Sequence, residues 1–201
     1  MSRRDTAAPR DRKQEIYDAA VDLFWQRGYF GTSMRDLASA VGVQTSSLYH
    51  HNSTKQVLLV EIMERTMSRL TAEVSEAVEG AEGTAEQLAE GVRAHVLFHG
   101  RHPRDAFVTD FEIRALEPDN RERIIAMRDR HQAIFEGLIA RGTEQGIFDA
   151  SDVKTATYAI ATMSTAVSTW YRAGGRLPIE EIAREYAGFA LGIVRGCPVE
   201  T

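Results

Sequence analysis

Apolar residues recur at intervals of three and four along most of this 201-residue chain, the repeat that places them on one face of an α-helix. The first group of residues with this repeat predicts a helix from about residue 11 to the glycine at 28. No five-residue segment between turns alternates apolar and polar residues, as a β-strand would. We therefore predict an all-α fold of about nine helices. The first group consists of Ile16, Ala19, Ala20, Leu23 and Phe24, and later helices are predicted near 33–40, 44–50, from 54 onward, 84–101, 103–116, 118–145, 152–173 and 178–195.

Composition excludes several classes of protein. Hydrophobic residues make up 43% and charged residues 26%, which is ordinary for a globular domain and argues against wholesale disorder. The single cysteine, Cys197, rules out a disulfide scaffold or a multi-cysteine zinc module. The first residues lack the apolar segment of a secretory signal, and no run of about 18 apolar residues is present. We expect a soluble cytoplasmic protein with no membrane partner.

Charge is distributed unevenly. Residues 1–55 carry eight Lys and Arg against six Asp and Glu, a net charge of +2, whereas residues 56–201 carry a net charge of −7. A polyanion would be attracted to the first segment and repelled by the second. A difference of this size is also compatible with chance, so charge alone does not decide the function.

Residues 32–55 have the spacing of a helix-turn-helix. The small Ala38 allows two helices to cross closely, and Gly42, four residues later, permits the left-handed backbone of a sharp turn. Apolar Leu37, Val43 and Leu48 are placed to hold the two helices together. The alternative is a plain corner between two helices, without any role in binding DNA.

Short polar residues remain on the outer face of the second helix of this motif, where they can hydrogen-bond to bases or phosphates. Ser33 and Asp36 form a capping box that opens the first helix, and Ser53-Thr54-Lys55 opens the following helix, whose free amides and positive dipole end suit a phosphate. The predicted DNA-binding residues are Thr32, Ser33, Arg35, Gln44, Thr45, Ser46, Ser47, Tyr49, His50 and Lys55.

The segment TSMRDLASAVGVQTSSLYHHNSTKQVLL, with the helix and turn over residues 16–31 before it, resembles the N-terminal domain of the TetR family of bacterial transcriptional repressors. The resemblance implies an N-terminal arm and DNA-binding domain over 1–55, a helical ligand-binding and dimerisation domain over 56–201, a homodimer, and a palindromic double-stranded DNA operator that is released when a small ligand binds. One departure is His51, which stands where the family usually has another aromatic residue; we expect its ring to pack in the same way.

The C-terminal helices are expected to provide the dimer interface. Residues 155–169 are rich in Ala, Ser and Thr, which allow close helix approach, and the last helix carries a second apolar stripe. The family arrangement implies a four-helix interface between two subunits, although the same stripes would also serve as internal core. The predicted interface residues are Ala156, Ile160, Val167, Ile182, Tyr186, Phe189 and Ile193.

The same domain is expected to enclose an effector cavity. Apolar residues on these helices are candidates for its lining, with core packing as the alternative for each of them. The predicted ligand-binding residues are Phe98, Phe107, Phe111, Arg114, Met127, Arg128, Tyr158, Met163, Trp170 and Tyr171.

The chemistry of the effector is suggested by residues 169–186, which are similar to the corresponding stretch in TetR-type repressors of fatty-acid, aromatic-acid and steroid breakdown, several of which sense acyl-CoA thioesters. Such a ligand needs cations for its phosphates, and five arginines are available: Arg114, Arg121, Arg123, Arg128 and Arg130. These arginines are alternatively a solvated face paired with neighbouring acids. An uncharged lipophile is the competing effector.

Other functions lack a matching motif. His95 and His99 share a helix face at a spacing that can chelate a metal, but no further ligand completes the site. The chain has no G-x-S-x-G, phosphate loop or H-E-x-x-H motif. We therefore predict that the protein is not an enzyme and that it binds no metal and no cofactor. A helical adaptor that dimerises without binding DNA is the remaining alternative. If the protein is a DNA-binding regulator, we expect it to repress transcription, with activation as the other possibility.

Overall fold

The computed structural model describes residues 12–50 and 54–195, except for the side chains of Tyr49 and His50. Within these ranges the chain forms ten α-helices, one 3₁₀ turn over Glu112–Ala115 and no strand, so the all-α prediction is confirmed. The helices are α1 (Arg12–Arg27), α2 (Met34–Ala40), α3 (Thr45–His50), α4 (Lys55–Glu79), α5 (Thr84–Arg101), α6 (Pro103–Phe111), α7 (Pro118–Glu144), α8 (Val153–Thr165), α9 (Val167–Trp170) and α10 (Ile179–Val194).

The structure divides one predicted helix in two. The helix expected over residues 152–173 is broken at Ala166, which separates α8 from α9. At this point the hydroxyl of Ser168 donates to the carbonyl of Thr165 at 3.0 Å, and that of Thr169 donates to the carbonyl of Ala166 at 2.7 Å. Hydroxyl side chains of this kind compete with the backbone for its acceptors, which the apolar repeat does not reveal.

Polar caps and prolines fix where several helices begin. The hydroxyl of Thr54 accepts from the amide of Val57 at 3.1 Å and opens α4. Asp152 caps α8 in the same manner, and both helices therefore begin with one of their free amides satisfied. Pro103 and Pro118 lie in the first turns of α6 and α7, where a missing amide hydrogen costs nothing.

The first of two hydrophobic clusters is shared between the two expected domains. It contains α1, α2 and α3, but it also takes residues from the first turns of α4 and three from much later in the chain. The core of the helix-turn-helix region therefore continues past the expected boundary at residue 55. The contributions from beyond that boundary are Leu58, Leu59, Val60, Ile62, Met63, Val108, Leu116 and Ile124.

The second cluster holds the remaining helices together. It is formed by the later part of α4 together with α5, α7, α8, α9 and α10. Helix α4 enters both clusters as one continuous element of 25 residues, about 37 Å at 1.5 Å per residue. None of the helices described is both long and apolar enough to cross a membrane.

Candidate nucleic-acid interface and effector cavity

The predicted helix-turn-helix is present in α2 and α3. Ala38 is 2% exposed, and Leu37 and Leu48 are buried in the first cluster. Gly42 has a φ of +68°, a conformation that glycine adopts without steric cost. The amide of Val43 donates to the carbonyl of Ala38 at 3.0 Å and closes the turn.

The capping box that opens α2 is also confirmed. The amide of Asp36 donates to the hydroxyl of Ser33 at 3.2 Å, and the amide of Ser33 donates to the Asp36 carboxylate at 2.8 Å. The hydroxyl of Ser33 also donates to the Asp36 carboxylate, and this bond together with the one from the Ser33 amide lowers the pKa of Asp36 because both favour its charged form. The entry to α2 is thereby fixed relative to the turn after α1.

Most of the predicted DNA-binding side chains that the structure describes face solvent together. Gln44, Ser46 and Ser47 are exposed at the start of α3, and Thr45 is half-buried. Arg35 and Ser33 are exposed at the start of α2. The predictions for the side chains of Tyr49 and His50, for His51 and Ser53, and for the N-terminal arm lie outside the described residues.

Two predicted phosphate contacts instead have partners inside the protein. Thr32 is 2% exposed, and its hydroxyl lies 3.0 Å from the carbonyl of Gly28 and 3.2 Å from that of Leu23. The ammonium of Lys55 donates to the carbonyls of Tyr29 and Thr32 at 2.7 and 2.8 Å and lies over the Tyr29 ring. Both side chains tie the turn after α1 to its neighbours, which differs from the expected role.

A cavity of about 580 Å³ lies in the C-terminal part of the chain. Six helices contribute to its wall, namely α4, α5, α6, α7, α8 and α9. Its lining residues are Met67, Leu70, His95, His99, Asp110, Phe111, Arg128, His131, Gln132, Phe135, Tyr158, Ala161, Thr162, Thr165, Ala166 and Thr169.

Three of the ten predicted ligand-binding residues line this cavity: Phe111, Arg128 and Tyr158. The others point to different faces of their helices, a distinction that depends on how neighbouring helices pack. Phe98, Met163 and Tyr171 belong to or pack on the second cluster, Met127 packs on the first, Phe107 stacks on Phe111, Arg114 is exposed on the 3₁₀ turn, and Trp170 is exposed beside Tyr186.

Three histidines at the cavity were not predicted as ligand-binding residues. His95 lies between His131 and Thr165: its Nδ1 is 3.1 Å from Nε2 of His131, and its Nε2 is 3.3 Å from the hydroxyl of Thr165. The hydroxyl of Thr71 lies 3.2 Å from the other ring nitrogen of His131. His95 and His99 stack with ring centroids 4.4 Å apart, as their spacing of four residues on α5 permits; His131 carries no comparable sequence signal.

Burial keeps two of these rings neutral near neutral pH. Burial lowers the pKa of His131 to about 4, with a further contribution from His99. Burial also places the pKa of His95 well below its usual range, and the two other histidines act in the same direction. Among residues 12–50 and 54–195, no group of three or more His, Cys, Asp or Glu side chains is arranged to hold a metal ion.

The arginines expected to bind phosphates divide into two groups. Arg128 reaches the cavity, where its guanidinium donates to the carbonyl of Thr109 and lies 3.6 Å from Asp110. Arg123 pairs with Glu64 of α4 on the surface. The other three, Arg114, Arg121 and Arg130, are exposed, so Arg128 is the one of these five arginines that lines the cavity.

The predicted dimer residues also fall into two groups. Four of them, Ala156, Ile160, Val167 and Ile182, are buried within the chain itself. On the outer face of α10, however, Phe189 is 54% exposed and Ile193 is 37% exposed, with Tyr186 half-buried beside Phe189. Only this second group is positioned to meet another subunit.

A helix-turn-helix that shares its core with a cavity-bearing helical domain defines a ligand-responsive class of transcriptional regulator. Within that class, the chain belongs to the TetR family. Residues 16–62 match the model of bacterial regulatory proteins of the tetR family, and residues 81–194 match that of the tetracyclin repressor-like C-terminal domain.

Similar proteins include the HTH-type transcriptional repressor KstR2 of Rhodococcus jostii (strain RHA1), 27% identical over 190 residues that cover 93% of each chain. The fatty acid metabolism regulator protein of Bacillus subtilis (strain 168) is 26% identical and covers 80% of this chain and 84% of its own. The crystal structure of AibR in complex with isovaleryl coenzyme A and operator DNA has a TM-score of 0.82 and 27% identity, covering 89% of this chain and 97% of that one.

Proposed function

We propose that this protein is a homodimeric repressor that binds a palindromic operator and leaves it when an acyl-CoA thioester enters the cavity. The observation that carries the proposal is that two helices of the cavity wall also reach the helix-turn-helix region. Helix α4 contributes Met67 and Leu70 to the cavity and Leu58 and Leu59 to the first cluster. Helix α6 contributes Asp110 and Phe111 to the cavity.

The other end of α6 contacts α1 directly. The hydroxyl of Tyr17 donates to Asp105 at 3.0 Å, and Arg104 pairs with Asp22. A ligand that moves the wall of the cavity therefore acts on the DNA-binding region through two helices at once. To release DNA, the ligand must bind the DNA-incompetent arrangement more tightly, by about 1–3 kcal/mol for a typical coupling.

DNA recognition is assigned to the exposed start of α3. Gln44, Ser46 and Ser47 supply short hydrogen-bonding groups that suit base edges in a major groove. Two such helices, one from each subunit, must lie about 34–36 Å apart, or a multiple of that distance, to meet successive half-sites. The outward-facing Phe189 and Ile193 of α10 are the apolar surface proposed to hold the two subunits at this spacing.

The cavity supports an acyl group as the buried part of the effector. Its volume lies in the range of about 300–1,000 Å³ that is usual for small-molecule sites, and Met67, Leu70 and Phe135 supply an apolar lining. AibR has been crystallised with isovaleryl coenzyme A, and the relative from Bacillus subtilis is named for fatty acid metabolism. An uncharged lipophile is the alternative effector, because the same apolar lining would also accept it.

The test uses the full-length protein and a labelled DNA fragment from upstream of its own gene. We expect a discrete, salt-sensitive complex in a gel-shift assay, and a roughly 5- to 150-fold loss of operator affinity at saturating acyl-CoA. If no CoA thioester changes operator affinity, the effector class is wrong. If the protein binds every DNA weakly and alike, it is an adaptor rather than a repressor.

A further inference from the structure

Among the described residues that line the cavity, the buried polar side-chain atoms have hydrogen-bond partners, with one exception at Asp110. His131 and His95 each have partners at both ring nitrogens, formed by Thr71, Thr165 and one another. His99 donates from Nδ1 to the carbonyl of His95 at 2.9 Å, which fixes the orientation of its ring. His95 and His131 therefore need nothing from a ligand.

Asp110 lacks such partners. Its Oδ2 atom is buried and has no hydrogen-bond donor within the part of the chain that the structure describes. The two nitrogen groups that face the carboxyl lie farther away: His99 Nε2 is 3.5 Å from Oδ2, and the Arg128 guanidinium is 3.6 Å from Oδ1. Both distances exceed the 2.7–3.2 Å of ordinary N–H···O hydrogen bonds. A carboxyl group facing the cavity thus retains acceptor capacity that the protein leaves unused.

We propose that the effector carries a hydroxyl group on its buried apolar part and donates it to Asp110. This inference rests on the proposed function and specifies the ligand of the same cavity. A hydroxyl has one donor and two acceptor positions. It can donate to Asp110 Oδ1, the oxygen that faces Arg128, and accept from the Arg128 guanidinium, so that one ligand atom bridges the 3.6 Å between these two side chains.

Two other acyl groups fit less well. A saturated chain would exclude solvent from Asp110 without offering a donor, and a buried acceptor left without a partner is costly. A chain ending in a carboxylate would bring a second negative charge against Asp110, and like charges at this range repel. Arg128 does not favour the carboxylate, because its charge already faces Asp110.

The direct test measures binding of three matched CoA thioesters to the full-length protein by calorimetry. The three have acyl chains of equal length that are saturated, hydroxylated or terminated by a carboxylate, and the hydroxyl position is varied along the chain. We expect at least one hydroxyacyl-CoA to bind about tenfold or more tighter than the saturated thioester, because sites built to bind a hydroxyl discriminate strongly against its absence.

Variants locate this preference at Asp110. In Asp110→Ala the ratio of affinities for hydroxylated and saturated thioesters is expected to fall to near one, and in Asp110→Asn, which keeps one acceptor, to fall partway. The matched control is Asp105→Asn on the same helix, whose carboxylate faces Tyr17 rather than the cavity, and which should leave the ratio unchanged. Asp110→Asn preserves the shape of the side chain and serves if the alanine variant does not fold.

The outcomes separate this inference from the proposed function. If saturated and hydroxylated thioesters bind equally and both release the operator, the hydroxyl proposal is overturned and the repressor assignment stands. Preference for the carboxylate chain also overturns it, as does a hydroxyl preference that survives Asp110→Ala. If no thioester binds at all, the acyl-CoA assignment fails and this inference fails with it.

Discussion

At the scale of single residues, Lys55 stabilises the DNA-binding region from within. Its ammonium donates to two carbonyls of the turn between α1 and α2 while it lies over the ring of Tyr29. We expect Lys55→Ala to lower the free energy of unfolding by about 2 kcal/mol, since hydrogen bonds from charged groups contribute about 1.5–3 kcal/mol. Urea denaturation measures this, with Lys154→Ala at an exposed position of α8 as the control.

The same variant distinguishes a structural lysine from one that contacts DNA. Loss of one phosphate contact reduces the slope of log affinity against log salt by about 0.9. For Lys55→Ala we expect an unchanged slope at temperatures where the variant remains folded. A reduced slope with unchanged stability would instead support a direct phosphate contact by Lys55.

His131 makes stability depend on pH. Its folded-state pKa of about 4 lies below the usual value of 6.5 because the ring is buried, so unfolding takes up a proton at pH values between these two. Stability is therefore complete above about pH 6.5 and decreases as the pH falls toward 4, by about 1.4 kcal/mol per unit from this ring.

We expect His131→Gln to lose about 2 kcal/mol less than the unaltered protein when the pH is lowered from about 7 to about 5. His95 contributes in the same direction in both proteins, so a smaller pH dependence remains in the variant. Urea titrations at the two pH values measure the difference, and Arg130→Gln, at an exposed position of the same helix, is the control and should leave the pH dependence unchanged. Parallel losses in the two proteins would show that His131 is protonated already when folded.

At the scale of elements, local sequence signals were sufficient to predict the helix-turn-helix of α2 and α3, but they were not sufficient to predict the lining of the cavity. The cap at Ser33, the turn at Gly42 and the contacts of Leu48 all act within about 20 residues, so that their spacing alone specifies α2 and α3. The cavity instead depends on how six helices pack, and Phe98 and Phe111 have equal hydrophobicity but opposite surroundings.

The outer face of α10 carries the element-scale prediction. Phe189 is 54% exposed in the isolated chain, so that glutamate at this position is tolerated by the fold but places a charge in the proposed interface. We expect Phe189→Glu to shift the protein from dimer to monomer in sedimentation at micromolar concentration and to weaken operator binding at least tenfold.

A matched control is Ile125→Glu on α7, which changes another exposed apolar residue (38% exposed) outside α10. It should leave both the oligomeric state and operator affinity unchanged. A Phe189→Glu protein that remains dimeric with full operator affinity would place the interface elsewhere.

At the scale of the whole molecule, Gln56 joins the cavity wall to the DNA-binding region. Its amide nitrogen donates to the carbonyl of Ala115 and to the hydroxyl of Tyr29, both at 3.1 Å, and its oxygen accepts from the amide of Glu117 at 3.0 Å. The 3₁₀ turn that follows Asp110 and Phe111 is thereby attached to the base of α4 and to the turn after α1.

We expect Gln56→Ala to reduce the factor by which saturating effector weakens operator binding, while effector affinity in the absence of DNA changes less than about threefold. Operator affinity with and without effector gives this factor. Gln87→Ala is the control, because Gln87 accepts a hydrogen bond from Arg141 near the C-terminal end of α7, far along the helix from the contacts of Gln56. An undiminished factor in Gln56→Ala would assign the coupling to α4 alone.

Because Val108, Leu116 and Ile124 complete the packing around α1 and α3, the DNA-binding region cannot be separated from the rest of the chain without losing part of its hydrophobic core. Grafting residues 1–55 onto the effector-binding part of a relative would divide this hydrophobic cluster. The apolar surfaces of the two joined parts would then not fit each other. A new operator preference is therefore better engineered by exchanging the exposed side chains of α3 in place.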